Sequence, residues 1–118
     1  ILPVGDDVRH WFASPRSAVE YINHAATLDT AAMGAQRCMT MPGVSATVGE
    51  QIEALRAVAG DAAVALICRV PDPAVLNIIS GWPRDFDTAR ALSLGFRAEN
   101  TFGEIIAVYL EDEMRQKP

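Results

Sequence analysis

Arginine is the residue type in this chain best suited to gripping a ligand. Arg9, Arg16, Arg37, Arg69 and Arg84 fall near the ends of predicted elements or in loops, where a guanidinium suits a carboxylate or phosphate through paired hydrogen bonds. The alternative for each is a solvated or salt-bridged surface side chain. Arg9 stands apart because His10, Trp11 and Phe12 follow it in a chain that is only 7% aromatic. A cation beside aromatic rings reads as a pocket wall. Phe12 is assigned to the core ahead of the first helix, and Trp11 to the wall. Trp82-Pro83-Arg84, on a loop after a helix, forms a second cluster of the same kind. The candidate substrate-binding residues are therefore Arg9, Trp11 and Arg84.

The sequence carries no recognisable catalytic engine of its own. Its glycines stand at 5, 34, 43, 49, 60, 81, 95 and 103, and no trio fits the spacing of a dinucleotide-binding glycine loop. There is no Walker sequence, no GxSxG and no HExxH. His10 and His24 lie 14 apart without ligand partners at metal spacing, and both read as surface or packing histidines, so no metal site is expected. A Tyr-x-x-x-Lys pair, in which a lysine lowers the phenol pKa for proton transfer, is absent. Tyr21 is followed four residues on by Ala25, and Tyr109 by Glu113.

The elements that must position these arginines follow from local signals. Ser14 is an N-cap and Pro15 suits the first helical position, so a helix is predicted over 15–28, with Ala18, Ile22, Ala25 and Ala26 as its apolar face. Residues 36–42 read as a strand stopped by Pro42-Gly43. Thr47 and Glu50 form a capping box. Ile52, Leu55, Val58 and Ala59 make the stripe of the helix that follows, and Gly60 supplies a left-handed cap. Residues 63–70 read as a second strand. Asp72-Pro73 opens a short helix running to about Ser80. Asp87 caps another, with Ala91 and Leu92 inward and Gly95 as its stop. Thr101 and Glu104 repeat the capping-box pattern before a last helix packed through Ile105, Ile106, Tyr109 and Leu110, and the polar tail from Glu113 to Pro118 is expected to fray. The strand–helix–strand order at 36–70 permits a parallel crossover.

Composition sets the outer limits. The chain has 118 residues, half of them hydrophobic, with 10 Lys+Arg against 15 Asp+Glu and a net charge of −5. That is one domain's worth of chain with the means for a core. The acidic balance, with Lys117 its one lysine, argues against a nucleic-acid partner, which needs clustered cations to displace counterions. No apolar run approaches a membrane span. Cys38 and Cys68, without CxxC spacing, read as small buried hydrophobes in a reducing cytoplasm. The opening Ile1-Leu2-Pro3-Val4, apolar and without a methionine, reads as the interior of a longer protein.

The order of elements resembles a known family. Arg9-His10-Trp11-Phe12, with the helix from Ser14-Pro15, resembles the Arg-Asp-Tyr-Ile-His-Val-Asp-Asp-Val-Ala segment of the extended short-chain dehydrogenases, which include the NAD-dependent sugar epimerases and dehydratases. Met39 to Gly43, followed by Ser45 to Gly60, resembles its strand–glycine–helix unit. Asp87 to Phe96, followed by Phe102 to Ile106, resembles its C-terminal helices. Residues 10–18 and 41–52 look like the sugar-acid branch, the D-erythronate dehydrogenase type, thought to oxidise a small sugar acid with NAD. The family's paired aspartates are replaced here by Pro15 and Arg16, and its histidine by Ala13.

The resemblance implies an α/β fold: the C-terminal, substrate-side fragment of an extended short-chain dehydrogenase, residues 1–118 forming a single region whose dinucleotide-binding Rossmann part is missing. The strand at 36–42 would complete the upstream dinucleotide-binding sheet, and the one at 63–70 would belong to the smaller substrate subdomain. It also implies that NAD and the catalytic residues belong upstream, that Arg9 reaches a substrate phosphate or carboxylate, and that no catalytic residue lies in this chain. The carry-over to Trp11 and Arg84 rests mainly on their local chemistry. The expected function is substrate recognition for a sugar-acid dehydrogenase. A nucleotide-sugar epimerase or dehydratase region and a stand-alone binding or oligomerisation module are the alternatives. Expected partners are a sugar-acid or nucleotide-sugar substrate and further copies of the protein, in the cytoplasm, with no nucleic acid and no membrane.

Overall fold

The computed structural model describes residues 1–115. Two short strands carry the fold: β1, Arg9–Phe12, pairs antiparallel with β2, Val44–Thr47, placing Arg9 opposite Thr47 and Trp11 opposite Ser45. The chain between them contains α1, Pro15–Thr27, and a 3-10 turn, Thr30–Met33. After β2 come α2, Val48–Ala59; α3, Asp61–Val64; α4, Pro73–Ile79; α5, Ala89–Ser93; and α6, Phe102–Tyr109, which runs into a π-turn at Leu110–Met114. The three tail residues beyond Arg115 lie outside the described part. Helices α2 and α6 pack against each other. The Phe12 ring stands edge-to-face on Phe102 at 5.3 Å, joining β1 to that pair.

The starts of α1, α2, α4 and α6 are set by side chains within one turn, whereas α3 and α5 have no side-chain cap; Thr88, not Asp87, is the N-cap of α5, and Asp87 Oδ1 accepts from Ala89 N. Ser14 Oγ accepts from the Ser17 N–H. Thr47 Oγ1 accepts from Glu50 N while Glu50 Oε2 accepts from Thr47 N, the full reciprocal box. Asp72 caps α4. At α6 the reciprocity is shifted: Thr101 Oγ1 accepts from Glu104 N, but the Glu104 carboxylate reaches Asn100 N. Gly60 has the positive φ expected of it, 81°, with an extended ψ of 174° in place of a left-handed one. Gly95, at φ 92°, ends α5 and lies against the His24 ring.

Both predicted strands are corrected. Residues 36–42 are irregular, because a strand is defined by a partner and none of the described residues pairs with them. Their carbonyls are taken by side chains: Gln36 O and Cys38 O accept from Arg90, and Pro42 O from Tyr21 Oη. Pro42-Gly43 precedes β2 rather than closing a strand. Residues 61–64 are helical, as an Ala-rich stretch after Asp61 favours, and only Arg69 bridges to Leu2, in parallel. The α2 segment therefore joins no parallel pair.

The inward faces also differ from expectation. Helix α1 turns Ser17, Tyr21 and His24 inward and leaves Ala18, Ile22, Ala25 and Ala26 exposed. His24 Nε2 lies 2.8 Å from Leu94 O, and its ring stands edge-to-face on Phe96. Leu92 and Tyr109 are exposed, as are both cysteines, which are free thiols. The fully buried apolar core is small: Ala46, Ala91 and Phe96. The surface, 7830 Å², exceeds the ~6,200 Å² typical of a compact monomer of this mass. The radius of gyration, 16.7 Å, exceeds the ~13.5 Å of a compact domain of this length. Among the described residues no helix is long and apolar enough to cross a membrane.

Candidate substrate-binding cleft

Arg9 leaves β1 toward β2 and the start of α2. Its Nη1 donates to Ser45 O at 3.1 Å and to Ser45 Oγ at 3.3 Å, and its Nη2 lies 3.0 Å from Glu50 Oε2. The Thr47 N–H, then the Arg9 guanidinium, hold the Glu50 carboxyl below its usual pKa. The Ser45 hydroxyl in turn donates to Arg84 O at 2.7 Å. One serine on β2 therefore ties the strand arginine to the loop that carries Arg84.

Arg9 and Arg84 line one cleft of about 150 Å³, with Asp7, Val8, His10, Leu76, Ile79 and Ser80 as its other walls. Two sequence-predicted residues, 75 positions apart, thus meet across a small polar-and-apolar space. Among the described residues the Arg84 guanidinium has no ion-pair or hydrogen-bond partner. The other arginines near element ends are engaged: Arg16 with Glu111 and Asp112, Arg37 with Thr30 O, and Arg69 with both carboxylate oxygens of Asp6. An unpaired guanidinium at a cleft that a second arginine also lines suits an anion, although Asp7 lines the same space.

Trp11 does not line this cleft. Its indole stands edge-to-face on Phe86 at 5.6 Å and lies so close to Gly43 that an added Cβ there would come 2.5 Å from Nε1. Only glycine permits that approach. Trp11 therefore anchors β1 to the 82–87 loop and to the entry of β2, and reaches the ligand space only through the loop it holds. Sequence reasoning missed Ser45, which carries no local signal; its role appears only when β2 pairs with β1. It also passed over His10, although the residue lies inside the Arg9 cluster.

A second polar junction holds α1 in place. Glu99, on the segment before α6, accepts from Ser14 N at 3.2 Å and closely from Ser14 Oγ. Burial raises the Glu99 pKa, but the hydrogen bonds from Ser14 and its neighbours outweigh it and hold the carboxyl below its ordinary value.

The residues present do not fit a dinucleotide. The two strand-to-helix entries have no glycine loop, and each helix start already carries a carboxylate of this chain, Glu99 at α1 and Glu50 at α2. The first-turn N–H groups that a pyrophosphate would need are also taken: Val48 N by Val8 O, Gly49 N by Asp6 O, Glu50 N by Thr47 Oγ1 and Ser17 N by Ser14 Oγ. Among the described residues no group of three or more His, Cys, Asp or Glu side chains is placed to hold a metal ion.

No protein-family model matches the chain. It is 37% identical over 110 residues to D-erythronate dehydrogenase of Cupriavidus necator, covering 93% of this chain and 34% of that protein. It is 31% identical over 114 residues to the Haemophilus influenzae protein of the same name, covering 97% and 36%. A crystal structure of the nucleoside-diphosphate-sugar epimerase from Agrobacterium tumefaciens superposes with a TM-score of 0.95 at 52% identity, over 98% of this chain and 34% of that one. The chain spans about a third of the length of these relatives. Fold and likeness together define a region of the dehydrogenase–epimerase class of enzymes. The chain is similar to about a third of the D-erythronate dehydrogenases and of this epimerase, the likeness of a fragment of such an enzyme.

Proposed function

We propose that the chain is the substrate-recognition part of an NAD-dependent sugar-acid dehydrogenase, with Arg9 and Arg84 receiving the carboxylate. The observation that carries this is that Arg84, unpaired among the described residues, lines one cleft of about 150 Å³ together with Arg9. That volume suits a small acid, and it is well below the ~300–1,000 Å³ common for larger ligands. Charge-assisted pairing fixes the acid end, Leu76 and Ile79 offer apolar surface to its carbon chain, and Trp11 holds the loop through Phe86. NAD and the hydride-transfer groups belong to the part of the protein outside this chain, so the chain alone is inactive. The small core and the exposed α1 stripe support packing against that part and assembly into homo-oligomers. Free, exposed thiols suit a reducing cytoplasm.

A second reading, a nucleotide-sugar epimerase region, is favoured by the name of the solved neighbour. Assay of the full-length protein separates the two. NADH formation with D-erythronate and none of the 4-epimer from UDP-glucose is the expected result. Epimerisation without net NADH formation would replace it with the second reading.

A further inference from the structure

The imidazole of His10 stands in the same cleft without any hydrogen bond. Among the described residues its Nδ1 and Nε2 are the side-chain polar atoms that are buried and unpartnered. Buried polar atoms left this way are rare and ask for an explanation. His10 follows Arg9 in β1 and is, with Arg9 and Arg84, one of the residues lining the cleft. Trp82 packs on it at 5.6 Å, edge-to-face, and Trp82 is itself 56% exposed, on the loop that carries Arg84. The cover over the ring is thus a side chain that is itself half open to solvent.

Resting on the reading above, we propose that His10 is a specificity-determining residue that hydrogen-bonds a hydroxyl of the sugar acid when Trp82 swings aside. The two guanidinium groups suit the carboxylate. An imidazole offers one N–H and one lone pair, and a hydroxyl can satisfy either. A site that must hydrogen-bond a hydroxyl discriminates against the analogue lacking it, because its own polar atom is then left unpaired. Binding of the hydroxylated acid therefore relieves a cost that the empty cleft bears.

The test uses the full-length protein, D-erythronate and its monodeoxy analogues. His10→Phe keeps the ring volume and is expected to raise the KM for D-erythronate roughly three- to tenfold, with kcat changed less. The penalty should vanish for one deoxy analogue that keeps the hydroxyl being oxidised, and His10→Gln should restore part of the loss. An unchanged KM in both variants, or an equal penalty on every analogue, would overturn the proposal. If Arg84→Ala raises KM while His10→Phe does not, the carboxylate reading stands and this inference fails. If Arg84→Ala and Arg9→Ala both leave KM unchanged, both fall.

Discussion

The Ser45 hydroxyl joins the two halves of the cleft, so Ser45→Ala should loosen the arginines without removing either charge. The hydroxyl donates to Arg84 O at 2.7 Å and accepts from Arg9 Nη1 at 3.3 Å. The first is a well-formed bond worth ~1 kcal/mol. The second is long, and Arg9 keeps its bond to Ser45 O, so its loss adds no more than ~0.5 kcal/mol. A total of ~1–1.5 kcal/mol corresponds to roughly a five- to twelvefold shift in an equilibrium. The expected result, in steady-state kinetics on the full-length protein, is a KM for the sugar acid raised by about that factor, with NAD affinity unmoved. In an Arg84→Ala background the same change should cost much less, because the loop no longer carries a guanidinium to position. Equal costs in both backgrounds, or NAD affinity falling in step with KM, would show that Ser45 does not position the Arg84 loop.

Three further outcomes follow from the same structure. The 118-residue chain alone should show no saturable NAD binding by calorimetry, since it has no dinucleotide-binding glycine loop and the first-turn N–H groups of α2 are already taken within the chain; a measurable Kd would contradict this. The same chain should sediment at micromolar concentration as a dimer or larger species and bind a hydrophobic dye, because Val19 and Ile22 on α1 and Leu66 beyond α3 are uncovered; a clean, dye-silent monomer would favour a self-sufficient module. Glu99 has a lowered pKa in the folded state, so its contribution to stability is present above the unfolded value near 4.5 and is lost as pH falls through the lower folded value. The melting temperature of Glu99→Gln in the full-length protein should therefore lie below wild type at neutral pH and converge with it in acid, and a gap independent of pH would show that the carboxylate's charge does not matter.

What could be read from the sequence was what the chain settles within a turn or two. Ser14, Thr47, Asp72 and Thr101 each announced a helix start because a cap needs only the next three residues. Strands were not legible in this way. Residues 36–42 have the composition of a strand and find no partner among the described residues, whereas Arg9–Phe12 and Val44–Thr47 become strands by pairing with each other across 31 intervening residues. The α1 stripe was sound as a pattern and wrong as a statement about what it covers here: Ser14, Tyr21 and His24 fix the helix by hydrogen bonds, and its apolar side is left outward. At the site, guanidinium chemistry made Arg9 and Arg84 visible separately. Their meeting, and the part of Ser45 in it, depended on tertiary pairing that no local signal encodes. The aromatic neighbours of Arg9 misdirected Trp11 to the pocket wall when its packing surface is Phe86 and Gly43.

Arg84→Ala in the full-length protein tests the carboxylate cleft most directly, because the side chain has no partner among the described residues and its removal breaks no internal bond. Substrate KM and NAD Kd should be measured on the same preparation. Loss of one charge-assisted contact, ~1.5–3 kcal/mol, is expected to raise KM by roughly ten- to a hundredfold while NAD Kd and melting temperature stay at wild-type values. An unchanged KM would contradict the account and return Arg84 to the solvated surface.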